Sequence, residues 1–122
     1  MAKILVVDDD NYLRGMSVRL LQKAGYQVVE ASDGVDGVTK FEDEQPDAVL
    51  MDINMPRMDG LSALVAMRRI NPKARVAMLT GLAEKKVALT AVQMGARDFV
   101  LKPYKVERVL LAVQRLLGAR QE

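Results

Sequence analysis

The chain contains no cysteine and no histidine among its 122 residues. Without cysteine there is no disulfide, no thiolate zinc site and no cysteine nucleophile. Without histidine, no imidazole of this chain can act as base, metal ligand or phosphate carrier. Any metal site must therefore use oxygen ligands, which favour Mg²⁺, Mn²⁺ or Ca²⁺. Long apolar runs are also missing. The N-terminal run Ile4 to Val7 stops at three aspartates, too soon for a signal peptide or a membrane span. With no targeting segment, a cytoplasmic protein with no membrane contact is expected. An excess of charge of one sign is missing as well. The formal net charge is +2, and no basic stripe marks the chain for nucleic acid.

What remains is the composition of an ordinary soluble domain, 50% hydrophobic and 28% charged. The length fits one domain, expected over residues 1–118, with a short tail at 119–122. Apolar runs alternate with helical spacing five times. Ile4 to Val7, Gln27 to Ala31, Ala48 to Met51, Arg75 to Leu79 and Asp98 to Leu101 read as strands. The continuous β-branched-rich run Ile4 to Val7 marks a strand buried on both faces. Between them, helical stripes are carried by Leu13, Met16, Leu20 and Leu21, then by Val35, Val38 and Phe41. Leu61, Leu64, Val65 and Ile70 form a third. A fourth helix is expected from Glu84 to Met94. Val106, Val109, Leu110, Val113, Leu116 and Leu117 form the fifth stripe. Strict alternation implies a flavodoxin-like (βα)5 fold, a parallel sheet with helices on both faces and right-handed crossovers.

Four of the strands end in a chemically capable residue. Asp8 and Asp9 follow the first, Asp52 the third, Thr80 the fourth and Lys102 the fifth. Ligands bind at the C-terminal edge of such sheets, and the order 2-1-3-4-5 would bring these residues together. Three crowded carboxylates repel one another unless a cation lies among them. Lys102 supplies one charge and a divalent ion the rest, with Mg²⁺ expected and Mn²⁺ as a substitute. Asp52 is then the nucleophile toward phosphorus, with Asp8 and Asp9 on the metal. Lys102 and Thr80 would each meet a phosphoryl oxygen. Asp10, Asp33, Asp47 and Asp59 read as helix caps or turn residues. Gly60 and Gly95 read as backbone turns.

The ordered set Val6-Val7-Asp8-Asp9, Leu50 to Pro56, Met58-Asp59-Gly60, Met78 to Gly81 and Gly95 to Pro103 resembles the response-regulator receiver domain of two-component signalling. The resemblance spans nearly the whole chain. It implies that Asp52 accepts the phosphoryl group and that the metal is held by Asp8, Asp9, Asp52 and the Asn54 backbone carbonyl. It puts Thr80 and Lys102 on the phosphoryl group and implies a cis peptide between Lys102 and Pro103. It makes Thr80 and Phe99 the switch pair. The donor would be a histidine kinase or phosphotransfer protein, and an unknown protein target would meet the face of the fourth helix, fifth strand and fifth helix. Lys85, Lys86, Lys105 and Arg108 would give that face a basic rim suited to an acidic partner. Leu82 would hinder the hydrolytic water. A monomer or weak dimer is expected.

Three other readings are weaker. A haloacid-dehalogenase-like phosphatase needs a second aspartate two residues after the nucleophile, and Asn54 stands there. The chain is thus expected to be a phosphoacceptor and not a multiple-turnover enzyme. A purely binding module would not need the intact acidic set. A DNA-binding regulator would need a helix-turn-helix that these residues lack, so DNA binding is not expected of this chain; a stand-alone regulator and an excised receiver domain look alike in sequence, and the former is favoured.

Overall fold

A computed structural model describes residues 1–81 and 85–118, the side chain of Lys85 excepted. Five strands alternate with five helices: β1 Lys3–Val7, α1 Asn11–Lys23, β2 Gln27–Ala31, α2 Gly34–Glu44, β3 Ala48–Asp52, α3 Gly60–Ile70, β4 Val76–Thr80, α4 Lys85–Gln93, β5 Asp98–Leu101 and α5 Val106–Leu117. All strand pairings are parallel, in the order β2-β1-β3-β4-β5. The flavodoxin-like expectation holds.

Strand periodicity explains the two layers, because alternate side chains point to opposite faces. Leu5, Val7, Val49, Met51, Val76 and Met78 face one side, where Phe41 of α2, Leu64 and Met67 of α3 and Ala88 of α4 cover them. Ile4, Val6, Ala48, Leu50, Ala77 and Leu79 face the other, against Leu21 of α1 and Val109, Val113 and Leu116 of α5. Both faces are covered, so the central strands are apolar throughout. Small residues let the layers close. A Cβ at Gly37 would stand 3.0 Å from a Val7 methyl.

Helix boundaries follow their caps. Asp10 starts α1 by accepting from Tyr12 N and Leu13 N. Asp33 starts α2 through Asp36 N, and Asp59 starts α3 through Ser62 N. Asp47 instead accepts from Lys3 N at 2.8 Å, tying the entry of β3 to β1. Gly25 follows α1 with φ +99°, the left-handed position that glycine takes cheaply.

Several details differ from the sequence expectation. β3 and β4 extend through Asp52 and Thr80, so these two residues are strand ends and not loop starts. Ile70 and Val35, expected inward, are 42% and 36% exposed. In α3 the inward stripe is Ala63, Leu64 and Met67. Glu84, Leu82 and the tail at 119–122 lie outside the described residues. Among the described residues, no helix is long and apolar enough to cross a membrane.

Candidate functional site

The expected site residues meet at the C-terminal rim of the sheet. β1 and β3 are neighbours, with Val7 opposite Met51, so Asp8 follows one strand beside Asp52 at the end of the other. Carboxylate oxygens of Asp8, Asp9 and Asp52 all lie within 4.8 Å of one another. Lys102, after β5, donates from Nζ to Asp52 Oδ1 at 3.0 Å. Thr80 ends β4, between β3 and β5.

Burial sets the electrostatics. Asp8 is 1% exposed and Asp52 5%, while Asp9 is exposed. Burial pushes the Asp52 carboxyl up to about 6; the Lys102 hydrogen bond pulls it down and the Asp8 charge pushes it up again. Burial likewise raises Asp8, against the Asp10 N–H bond and the Lys102 charge. For Lys102 burial works the other way, but the hydrogen bond and charge of Asp52 outweigh it, and its pKa is raised. The cluster is thus short of positive charge, even with the lysine in place.

Individual oxygens show how the cluster is arranged. Asp52 Oδ1 accepts from Ile53 N and Lys102 Nζ, each at 3.0 Å, and neither bond uses Oδ2. Asp8 Oδ1 accepts from Asp10 N at 2.9 Å. Asp8 Oδ2 is buried with no hydrogen-bond partner. An orphaned buried carboxylate oxygen is costly unless a cation meets it. The donor set, all hard oxygen with one buried oxygen unpartnered, fits a divalent cation such as Mg²⁺.

The remaining expected residues are placed as follows. The Thr80 side chain is fully buried, and its hydroxyl donates to the Gly81 carbonyl at 3.2 Å. Asn54 is exposed on the loop after β3. The Lys102–Pro103 peptide is cis. Phe99 is half-buried against the core on the α2–α4 side of the sheet. On the expected partner face, Lys86 and Lys105 are exposed. Arg108 donates to Asp98 at 3.3 Å and to the Phe99 carbonyl at 3.2 Å. A cleft of about 520 Å³ lies beside it, lined by Phe99, Pro103, Tyr104 and Lys105 among others.

The description of residues 4–114 that matches a known family is the response regulator receiver domain. The chain belongs to that family. As a receiver domain it is 40% identical over 117 residues to the chemotaxis protein CheY of Bacillus subtilis, covering 95% of this chain and 98% of that one. It is 35% identical over 115 residues to CheY of Thermotoga maritima, covering 93% and 96%. A solved receiver-domain protein from Clostridium thermocellum superposes with a TM-score of 0.91 at 29% identity, over 96% of this receiver and 94% of that chain.

Two features of the receiver were not anticipated from sequence. Gly60 was expected to serve a turn, but its φ is not left-handed. What it needs is space: its missing Cβ would collide with the Asp52 carbonyl oxygen and lie 2.9 Å from Ile53 Cα. Gly60 N also donates to Ile53 O at 2.7 Å. Only glycine lets α3 start against the strand that carries Asp52. Gly95, by contrast, is a turn residue with φ +113°. The second feature is Arg57, whose Nε and Nη2 donate to the two Asp33 oxygens at 2.9 and 3.1 Å. This fastens the loop after β3 to the start of α2. Partners 24 positions apart on two loops leave no periodic signal in a sequence.

Proposed function

We propose that the chain is a phosphoacceptor switch that receives a phosphoryl group on Asp52 from the phosphohistidine of a histidine kinase or phosphotransfer protein. The reading rests on one observation: Asp52 stands with Asp8 and Asp9 in one oxygen cluster, its Oδ1 held by Lys102 Nζ at 3.0 Å. In the transfer, an Asp52 oxygen forms the new O–P bond as the N–P bond of the donor breaks, and the imidazole leaves. The chain has no histidine, so the donor is another molecule.

Asp8, Asp9, Asp52 and the Asn54 carbonyl would hold Mg²⁺, with Mn²⁺ able to replace it. When bound, the cation supplies positive charge against the phosphoryl oxygens. Lys102 leaves its ion pair with Asp52 to meet a phosphoryl oxygen. The Thr80 hydroxyl gives up the Gly81 carbonyl and donates to another. That draws the loop after β4 inward, and Phe99 follows, changing the surface of α4, β5 and α5. The equilibrium moves only as far as the phosphoryl group's preference for one state. That surface then meets a protein target. The chain works in the cytoplasm as a monomer or weak dimer, without nucleic acid or membrane, and does not turn over an external substrate.

Incubation with Mg²⁺ and acetyl phosphate, followed by intact mass, tests the chemistry. The expected result is one added phosphate in wild type and none in Asp52→Asn. Phosphate retained in that variant would move the acceptor elsewhere.

A further inference from the structure

Arg14 of α1 makes three hydrogen bonds. Its Nη1 donates to the Asp8 carbonyl at 2.7 Å, its Nε to Glu30 Oε1 at 3.0 Å and its Nη2 to Asn11 Oδ1 at 2.7 Å. The side chain is only 16% exposed. A guanidinium holds its donors in a rigid plane. With Nε on Glu30 and Nη2 on Asn11 the plane is held at two points, and Nη1 meets the Asp8 carbonyl.

The polar groups of Asp8 give this bond its meaning. The backbone N–H donates to Ala31 O at 3.1 Å, the carbonyl accepts from Arg14, and Oδ1 accepts from Asp10 N at 2.9 Å. Only Oδ2 is unpartnered, and Asp8 is one of the three residues of the acidic group. The carbonyl of Asp8 belongs to the peptide that joins it to Asp9. A bond to that carbonyl restrains the two backbone angles, ψ of Asp8 and φ of Asp9, that lie between the two side chains. The positive charge of Arg14 is paired with Glu30, and none of its three bonds goes to a carboxylate of the acidic group. Its influence is therefore geometric and not a matter of neutralising the site.

We propose that Arg14 is a positioning residue for the metal: by pinning the Asp8–Asp9 peptide it fixes the two carboxylates at one point before the cation arrives. The inference rests on the reading of the site as a metal-dependent phosphoacceptor. Outer partners of metal ligands act in this way, and losing them commonly weakens metal binding about 10–100-fold.

The test is the initial rate of phosphorylation by acetyl phosphate across a Mg²⁺ titration, with Mn²⁺ binding followed by electron paramagnetic resonance and melting measured with and without Mg²⁺. Arg14→Met is expected to raise the half-saturating Mg²⁺ about 10-fold or more and to leave the plateau rate nearly unchanged. Mn²⁺ affinity falls in parallel, and the Mg²⁺-induced rise in melting temperature shrinks at concentrations that saturate wild type. Arg14→Lys recovers part of the affinity, because an ammonium can still donate to the carbonyl. Should Arg14→Met fail to fold, Glu30→Gln keeps the guanidinium but loosens it, and is expected to move half-saturation the same way by a smaller factor. Unchanged half-saturation, or a melting loss shared equally with and without Mg²⁺, overturns the proposal. A wild type that neither binds Mn²⁺ nor takes phosphate fails the phosphoacceptor reading itself, and that shows before any variant is compared.

Discussion

At the residue scale, the site holds more negative charge than its neighbours can balance. Burial raises both Asp8 and Asp52, so the ionised pair opposes folding whenever no cation is bound. Asp8→Asn removes one of these charges. The metal-free variant is expected to melt several degrees higher than metal-free wild type, and added Mg²⁺ should give it little further gain; calorimetry with and without chelator checks both. Asp33 behaves in the opposite sense. The Arg57 hydrogen bond, helped by Asp36 N, holds its pKa below the ordinary carboxylate value. A lowered folded pKa means that the unfolded chain takes the proton first as pH falls. The stability from this pair is full above the ordinary carboxylate range and is lost as pH drops through the folded value. Asparagine caps a helix about as well as aspartate, so Asp33→Asn isolates the charge. Its deficit in urea unfolding should be full at neutral pH and should fade in acid, as pH falls through the lowered folded value. Asp8, Asp9, Asp52, Thr80 and Lys102 were legible in the sequence because each ends a strand or follows closely on one. Asp33 was legible only as a cap. Its arginine was not, because the bond between them depends on how two loops lie in space.

At the element scale, the alternation of strands and helices could be read because each strand is a short apolar run and each helix carries an apolar stripe. The ends of stripes were less legible. Leu64 and Ile70 share one helical pattern, yet Leu64 is fully buried and Ile70 is 42% exposed. In the last turn of α3, Ile70 borders an open cleft with Phe41, Gln45 and Asn71 and stays partly in solvent. Leu64→Ala is accordingly expected to cost about 2–5 kcal/mol, and Ile70→Ala less than about 0.5 kcal/mol, by chemical denaturation. Gly60 makes the same point about backbone approach. A Cβ there would press on the Asp52 carbonyl, so Gly60→Ala is expected to cost about 1–3 kcal/mol and to slow phosphorylation through displacement of β3. Sequence alone offers a turn as the reason for a glycine. The helix-against-strand contact that decides it needs both elements in position.

At the scale of the whole molecule, the proposed switch must carry a change from the rim of the sheet to the face of α4, β5 and α5. Thr80 is buried at the end of β4 and pairs in register with Leu101, two residues after Phe99. The route is short and passes between neighbouring strands. Amide hydrogen exchange after addition of Mg²⁺ and acetyl phosphate is expected to change in β4, α4 and β5, and to leave β2 as it was. Asp52→Asn should show no such change. Protection altered evenly over the molecule would mean general stabilisation and not a directed switch.

The order of the strands also bears on how the protein is made. The three clustered aspartates come from β1 and β3, within the first 52 residues to leave the ribosome. Lys102, their countercharge, follows the final strand. A nascent chain thus carries its burden of like charge well before the lysine that partly offsets it has been translated, and a polypeptide arrested ahead of β5 lacks the amine that the proposed phosphoryl transfer would use.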